Sequence, residues 1–320
     1  MMNPLIIVGC TATGKSALAE QIAERWHGPQ GQKAGILAVD SMQVYRGMDI
    51  GTAKPDAATR SRIIHEMIDV ADPWESFSAA RFATMAGPVL ETYQRNNTPL
   101  VIVAGTILYL RALLEGLFEG PPADATIRAE LAAQAQKNSV ASLHQELVKV
   151  DPLAATRIHA NDQRRIIRAL EVFRLTGKPI SALQTQWREQ HPRIDARIIG
   201  ITREKADLNG RINRRVRNMI ELGLVEEVRR LTTASAGLSD QAGQAVGYRE
   251  ILNHLAGRLS LPDALEEIKI NTRHLAKLQR TWLKRFTNVH WIEAAESSNL
   301  QAMADVILSQ LQPAFDKITG

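Results

Sequence analysis

The sequence predicts an α/β protein: a P-loop-type parallel sheet covered by helices, with an inserted all-helical domain. Three observations predict it. Short, continuously apolar runs end in glycine or a small polar residue, a glycine-rich loop lies between the first run and a helical pattern, and the stretch 121–192 carries helical patterning with no convincing strand.

In chain order, Leu5-Ile6-Ile7-Val8 is a β-rich run ending at Gly9, and Ala17 to Trp26 places Leu18, Ile22 and Trp26 on one helical face. A second run, Gly35 to Val39, ends in Asp40-Ser41. A third, Leu100 to Val103, leads to Gly105-Thr106 and a helical stretch from Leu108 to Leu117. Continuous apolar strands alternating with helices imply a parallel sheet covered on both faces, whose ligands bind outside the carboxyl ends of the strands. Gly9, Asp40 and Thr106 all fall at such ends, which makes them candidates for one site. From Pro121-Pro122 to about His191-Pro192 the chain reads as helices punctuated by Pro152 and by Gly177-Lys178-Pro179. Arg197 to Thr202 then returns as a strand, followed by helices at 207–222, 224–232 and 262–285 and a last strand at Val289 to Ile292. The expected organisation is a P-loop core formed by 1–120 and 193–320, with basic C-terminal helices, and a helical insertion at 121–192.

The chain has 320 residues, 45% hydrophobic and 23% charged, an ordinary globular composition that excludes wholesale disorder. Its longest apolar runs fall far short of the roughly 20 residues of a membrane span. No basic region precedes an apolar stretch and a cleavage site at the N-terminus, so a cytoplasmic location is expected. Cys10 is the only cysteine, which excludes an internal disulfide or a cysteine-based zinc cluster. Residues 1–120 carry 10 Lys+Arg against 12 Asp+Glu, leaving 29 against 22 for the remainder. With a pI near 9.4, this asymmetry suggests a polyanionic partner for the C-terminal part, with a plain excess of surface arginine as the alternative.

Residues 9–16 read GCTATGKS and match G-x-x-x-x-G-K-[ST] in full, between a predicted strand and a predicted helix. In such a loop glycines let successive N–H groups point at phosphate oxygens, the helix N-terminus adds positive potential, Lys15 supplies a point charge and Ser16 can ligate Mg²⁺. Asp40 has three readings: a carboxylate near Mg²⁺, a solvated turn cap, or a general base for an acceptor arriving at the same sheet edge. Thr106 contacts ligand or caps the following helix.

At 100° per residue, Arg273, Lys277, Arg280 and Lys284 fall within a stripe about 60° wide, with Leu275, Leu278, Trp282 and Phe286 opposite. The expectation is that the apolar face packs and the basic one meets an anion. A solvated face usually mixes signs, whereas 271–286 holds no acidic residue, which favours phosphate-backbone contact. Arg164, Arg165 and Arg168 form a smaller basic cluster, and Arg211 and Arg215 share a helix face one turn apart. Surface salt bridges are the alternative for both groups.

Together these stretches resemble the bacterial tRNA dimethylallyltransferases. The resemblance rests on the loop, on VDSMQVYRGMDIGTAKP at 39–55 and HEMIDVADPWESFSAARF at 65–82. It continues through PLVIVAGTILYLRALLEGL at 99–117, DPLAATRIHANDQRRIIRALEVFRLTGKPIS at 151–181, AVGYRE at 245–250 and TRHLAKLQRTWLKRF at 272–286. It implies transfer of a dimethylallyl group from dimethylallyl diphosphate to N6 of the adenosine at position 37, beside the anticodon, with Mg²⁺ as cofactor, the tRNA anticodon stem-loop as partner and a monomeric enzyme. Gly9, Cys10, Thr11, Ala12, Thr13, Gly14, Lys15 and Ser16 would hold the diphosphate, with Arg211 and Arg215 closing over it. Asp40 matches the general base, and Thr106 a threonine at the diphosphate or the target nucleotide. Lys15 joins them as a catalytic residue. The tRNA-contacting segments correspond to Asp40, Ser41, Met42 and Gln43; Arg128; Arg164, Arg165, Ile166, Ile167 and Arg168; Gln244, Ala245, Val246, Gly247, Tyr248 and Arg249; and Lys277, Leu278, Gln279, Arg280, Thr281, Trp282, Leu283 and Lys284. The family's loop has proline where Cys10 sits and often threonine at Ser16, and its glycine pair is here Ala104-Gly105. It also has arginine at Leu278, which removes one charge from the RNA-facing set.

Two rivals remain at this level. A P-loop small-molecule kinase using ATP shares the loop and Asp40 but has no use for the basic C-terminal helix. A non-catalytic RNA-binding module with a nucleotide switch leaves the cluster at 39–55 unexplained.

Overall fold

The computed structural model describes residues 2–116, 120–184, 194–233 and 236–311. The chain divides into two compact units, one made of residues 1–114 and 194–320, the other of 115–193.

The first unit holds a six-stranded sheet: β1 (Leu5–Gly9), β2 (Gly35–Val39), β3 (His65–Glu66), β4 (Leu100–Ala104), β5 (Arg197–Thr202) and β6 (Val289–Glu293). The strand order is β3-β2-β4-β1-β5-β6. Every pairing is parallel, with Ile6 opposite Ile102 and Ile198, and Ile36 opposite Val101. Consecutive residues Leu5 to Val8 are all fully buried, so both faces of β1 are covered, as its unbroken apolar run requires. One face packs through Leu5, Ile7, Val101, Val103, Ile199 and Ile201 against Leu18, Ile22 and Trp26, and against Ile307 and Leu308 of the Leu300–Leu311 helix.

Five of the six strands lie where the apolar runs place them. The sixth, β3, has two residues, too few to show a period. The first helix runs Lys15–Ala23 rather than from Ala17, because Gly14 at φ 99° supplies the left-handed turn that lets it begin inside the glycine-rich loop. Trp26, past its end, still packs in the core. The helix after β4 is Ile107–Glu115; Leu117, the expected end, lies outside the described residues. The helix Ala79–Arg95 contains Pro88, which obscures its pattern, and opens with Ser78 accepting the Arg81 N–H. The remaining long helices are Lys205–Glu221, Leu224–Thr233 and Leu261–Leu283.

Among its described residues the second unit has helices and no strand: Ala125–Asn138, Val140–Val150, Pro152–Arg157, Gln163–Thr176 and Ile180–Leu183. Leu131, Leu143, Leu147, Ile166, Leu170 and Val172 form its core. Asp124, Asp151 and Asp162 each cap a helix, and Gly177 ends one in the left-handed conformation. No described helix in either unit is long and apolar enough to cross a membrane.

Candidate active site

The strand order sets β2, β4, β1 and β5 side by side, so the residues that follow them emerge along one edge: Asp40, Thr106, the glycine-rich loop and Arg203. The loop is held from behind. Cys10 O accepts from Thr13 Oγ1 at 2.9 Å and from Lys15 Nζ at 3.3 Å. Arg203 Nε donates to Thr13 O at 2.8 Å, Arg211 Nε to Ala12 O at 2.8 Å, and Arg215 to Thr11 Oγ1 at 3.4 Å. With these carbonyls engaged by cations, the first-turn N–H groups of Lys15 and Ser16 have no intrahelical acceptor, the arrangement that suits an anion.

The cations here are short of solvent. Burial pushes the Lys15 ammonium down to about 8, although Asp40 pulls it up. Arg215 is lowered by burial against a raising contribution from Asp40, and Arg211 by burial and by Arg203. A site that depresses its own cations is one in which a bound anion is strongly favoured. Burial raises the Cys10 thiol despite Lys15 and Arg280, so it stays neutral and serves as a spacer.

Asp40 Oδ1 accepts the N–H groups of Met42 at 2.8 Å and Gln43 at 3.3 Å, which fixes the carboxylate at the mouth of β2. Its Oδ2 faces Gly105 so closely that a Cβ there would lie 2.8 Å away. The glycine therefore makes room for the carboxylate. Thr106 Oγ1 accepts the Ser41 N–H at 2.9 Å and donates to Ser41 Oγ at 3.2 Å, joining the ends of β4 and β2. Its carbonyl receives the N–H groups of Tyr109 and Leu110, but no described side-chain bond caps that helix.

These groups line one cavity of about 980 Å³. Thr11, Lys15, Asp40, Thr106, Arg211, Arg215 and Gln279 form its polar part; Leu108, Val216, Met219, Ile268, Leu275, Leu278 and Trp282 form an apolar part. Ser41, Met42, Gln43, Gln244, Ala245, Val246 and Tyr248 line it as well. Among the described residues no group of three His, Cys, Asp or Glu side chains is placed to hold a metal. The donor set present, the exposed Ser16 hydroxyl beside the loop and the Asp40 carboxylate, fits an ion such as Mg²⁺ that keeps water and phosphate oxygens as its other ligands.

The helix Leu261–Leu283 corrects one expectation. Its packed face consists of Ile268, Thr272, Ala276 and Leu283, while Leu275 and Leu278 are 38% and 58% exposed. Small residues fit that tightly packed face, which frees the two leucines for the cavity. Lys277, Arg280 and Lys284 are exposed, whereas Arg273 is half-buried and donates to Asn213 Oδ1 at 2.6 Å. Thr281 bonds back to Lys277 O, and Arg285 stacks over Trp282 at 4.2 Å. Tyr248 is fully buried and donates to Glu227 Oε1, and Arg249 pairs with buried Glu250. In the second unit Arg128 and Arg168 both clasp fully buried Glu171, at 2.8 and 2.7 Å, and Arg165 pairs with Asp162. Burial opposes ionisation of Glu171, but the two arginines and the Asp124 N–H outweigh it and hold the carboxyl below its ordinary range. Arg164 is exposed, Ile167 is half-buried and Ile166 is part of the core.

Two residues of the site escape sequence reasoning. Arg203 precedes the Lys205–Glu221 helix and stands at four-residue spacing from Asp207, Arg211 and Arg215, a signal that was available. Glu227, buried, accepts the N–H groups of Asp49, Ile50 and Gly51 and so shapes the loop that continues the cavity wall. A carboxylate on an otherwise buried helix face was its only trace.

Comparison with known proteins agrees with this geometry. Residues 43–286 match the family model described as IPP transferase. The chain is 46% identical over 289 residues to a tRNA dimethylallyltransferase of Geobacter metallireducens, covering 90% of this chain and 92% of that one. It is 43% identical over 327 residues to one of Xanthomonas axonopodis, covering 99% and 97%. The crystal structure of the tRNA isopentenylpyrophosphate transferase of Bacillus halodurans is 36% identical, superposes with a TM-score of 0.67 and covers 97% of each chain. A eukaryotic dimethylallyltransferase solved acting on tRNA is 25% identical, with a TM-score of 0.75 over 97% of this chain and 79% of that one. By sequence along most of its length and by fold, the chain belongs to the tRNA dimethylallyltransferase family.

Proposed function

We propose that the protein transfers a dimethylallyl group from dimethylallyl diphosphate to N6 of the adenosine at position 37 of tRNA, beside the anticodon, and releases diphosphate. Prenyl transfer to tRNA is the activity of its family, and a P-loop kinase reading has no support from these relatives. The observation that carries the finer reading is one cavity lined both by the cations Lys15, Arg211 and Arg215 and by apolar side chains, with Asp40 and Thr106 in the same lining.

The adenine amine is a weak nucleophile because its lone pair is delocalised into the ring, so the electrophile must supply the drive. In the proposed step the N6 lone pair forms a bond to the allylic carbon as the bond from that carbon to the diphosphate oxygen breaks. The bonding pair leaves on diphosphate, and the N6 proton passes to Asp40. Lys15, the loop N–H groups, Arg211 and Arg215 stabilise the charge that develops on the leaving group. Mg²⁺, held by Ser16 with Asp40 nearby, would supply further charge neutralisation there. The apolar wall of Val216, Met219, Leu275 and Trp282 accommodates the five-carbon unit and keeps water from the developing cation. To reach Asp40 the base must leave its stack, and exposed Lys277, Arg280 and Lys284 would hold phosphates while it does.

Asp40→Ala removes the base without touching the basic helix. Turnover is expected to fall about 10²- to 10⁴-fold with tRNA affinity within about twofold of wild type. Unchanged turnover in that variant removes Asp40 from the chemistry.

A further inference from the structure

We infer that Gln279 is a positioning residue that locks the phosphate loop to the strand end bearing Thr106, rather than a contact for RNA. Its amide is engaged at both ends by backbone of the core. Oε1 accepts the Thr11 N–H at 2.8 Å, and Nε2 donates to Gly105 O at 2.7 Å. These partners lie 268 and 174 residues away in sequence, on the loop after β1 and at the end of β4. Both bonds need an acceptor and a donor on one side chain, which the planar glutamine amide supplies.

The geometry extends the lock to the acceptor side. The N–H groups of Gly105 and Thr106 both bond Val39 O at 3.0 Å, Thr106 Oγ1 receives the Ser41 N–H, and Asp40 Oδ2 packs against Gly105. One amide thus ties the loop that grips the leaving group to the ledge that carries Asp40 and Thr106. The distance between the two halves of a bimolecular reaction is what such a tie fixes, and misplacement of one half lowers the rate more than it lowers binding of the other substrate. Gln279 also takes the Thr11 N–H out of the set available to the anion, so the loop presents a defined subset of donors. On the same helix, Lys277, Arg280 and Lys284 point to solvent while Gln279 is half-buried and lines the cavity. The helix therefore has an outer charged function and one inward amide with a separate role.

This inference rests on the diphosphate reading of the loop, and the two are separable by titrating inorganic pyrophosphate with Mg²⁺, and tRNA, into the same proteins. Gln279→Met keeps the volume and loses both bonds. Pyrophosphate affinity and kcat are each expected to fall about tenfold, with the Kd and KM for tRNA within about twofold of wild type. Lys277→Ala should do the reverse, weakening tRNA and sparing pyrophosphate. If Gln279→Met loses both affinities it has misfolded, and Gln279→Asn then decides: it adds no charge, keeps an amide one methylene too short to reach both partners, and should lose pyrophosphate affinity alone. Weakened tRNA binding with unchanged pyrophosphate affinity, or no change in either, overturns the inference. Wild-type protein that does not bind pyrophosphate overturns the diphosphate reading and the inference with it.

Discussion

Two sets of basic side chains are used in opposite ways. Arg203, Arg211 and Arg215, at the end of β5 and along the Lys205–Glu221 helix, point inward and bond the phosphate loop, and the Arg203 side chain is only 3% exposed. Lys277 and Arg280 on the Leu261–Leu283 helix and Lys284 at its C-cap face solvent with no ion pair among the described residues. Charge held out of water interacts strongly and does not reorganise when charge develops on a leaving group. Charge left in water is screened by salt within about 10 Å, which suits the reversible capture of a polyanion. The same residue type thus serves preorganisation in one place and recruitment in the other.

Breaking the inner set has the largest expected effect. Arg203→Ala leaves Asp207, 14% exposed, without its partner and frees Thr13 O, and should lower stability by about 3 kcal/mol while reducing turnover. Thermal melts and kcat measured together check it, and an unchanged melt would place the loop's support elsewhere. Next in size is a pH effect. Lys15 in the free protein is held at about 8, so it is charged below that pH and neutral above it. Pyrophosphate affinity should be fullest below pH 8 and fall, by up to about tenfold per unit, as pH rises through it. A flat profile from pH 7 to 9.5 would show that Lys15 stays charged or plays no part. Smallest per residue is the outer set: Lys277→Ala and Lys284→Ala should each cost a few-fold in tRNA affinity and lower the salt slope by about one. If the pair leaves affinity and slope unchanged, the outer charges are a solvated face and the contrast disappears.

The contrast also shows what a sequence carries. Strands β1, β2, β4 and β5 were legible because a buried parallel strand must be apolar on both faces, and the site positions followed because they come directly after those strands. Helical periodicity placed Lys277, Arg280 and Lys284 on one stripe. It misjudged the packed face, which turns toward Thr272 and Ala276 and leaves Leu275 and Leu278 open, because side-chain size at a close helix contact outweighs hydrophobicity there. Glu227 was not legible as part of the site, and neither were the partners of Gln279, which the resemblance had named only as an RNA contact, or of Arg203, since each acts on backbone about 170 to 270 residues distant in the chain. A backbone partner leaves no residue-type signature at the position it occupies.

The most direct test of the central claim follows the label. Protein is incubated with dimethylallyl diphosphate labelled in the prenyl group, or with ATP labelled in the terminal phosphate, each with and without tRNA. Prenyl label that appears on tRNA, at the adenosine beside the anticodon, with no phosphate label transferred from ATP, is the result expected. Phosphate label on any acceptor, or prenyl label that never reaches tRNA, would contradict a loop that grips diphosphate as the leaving group.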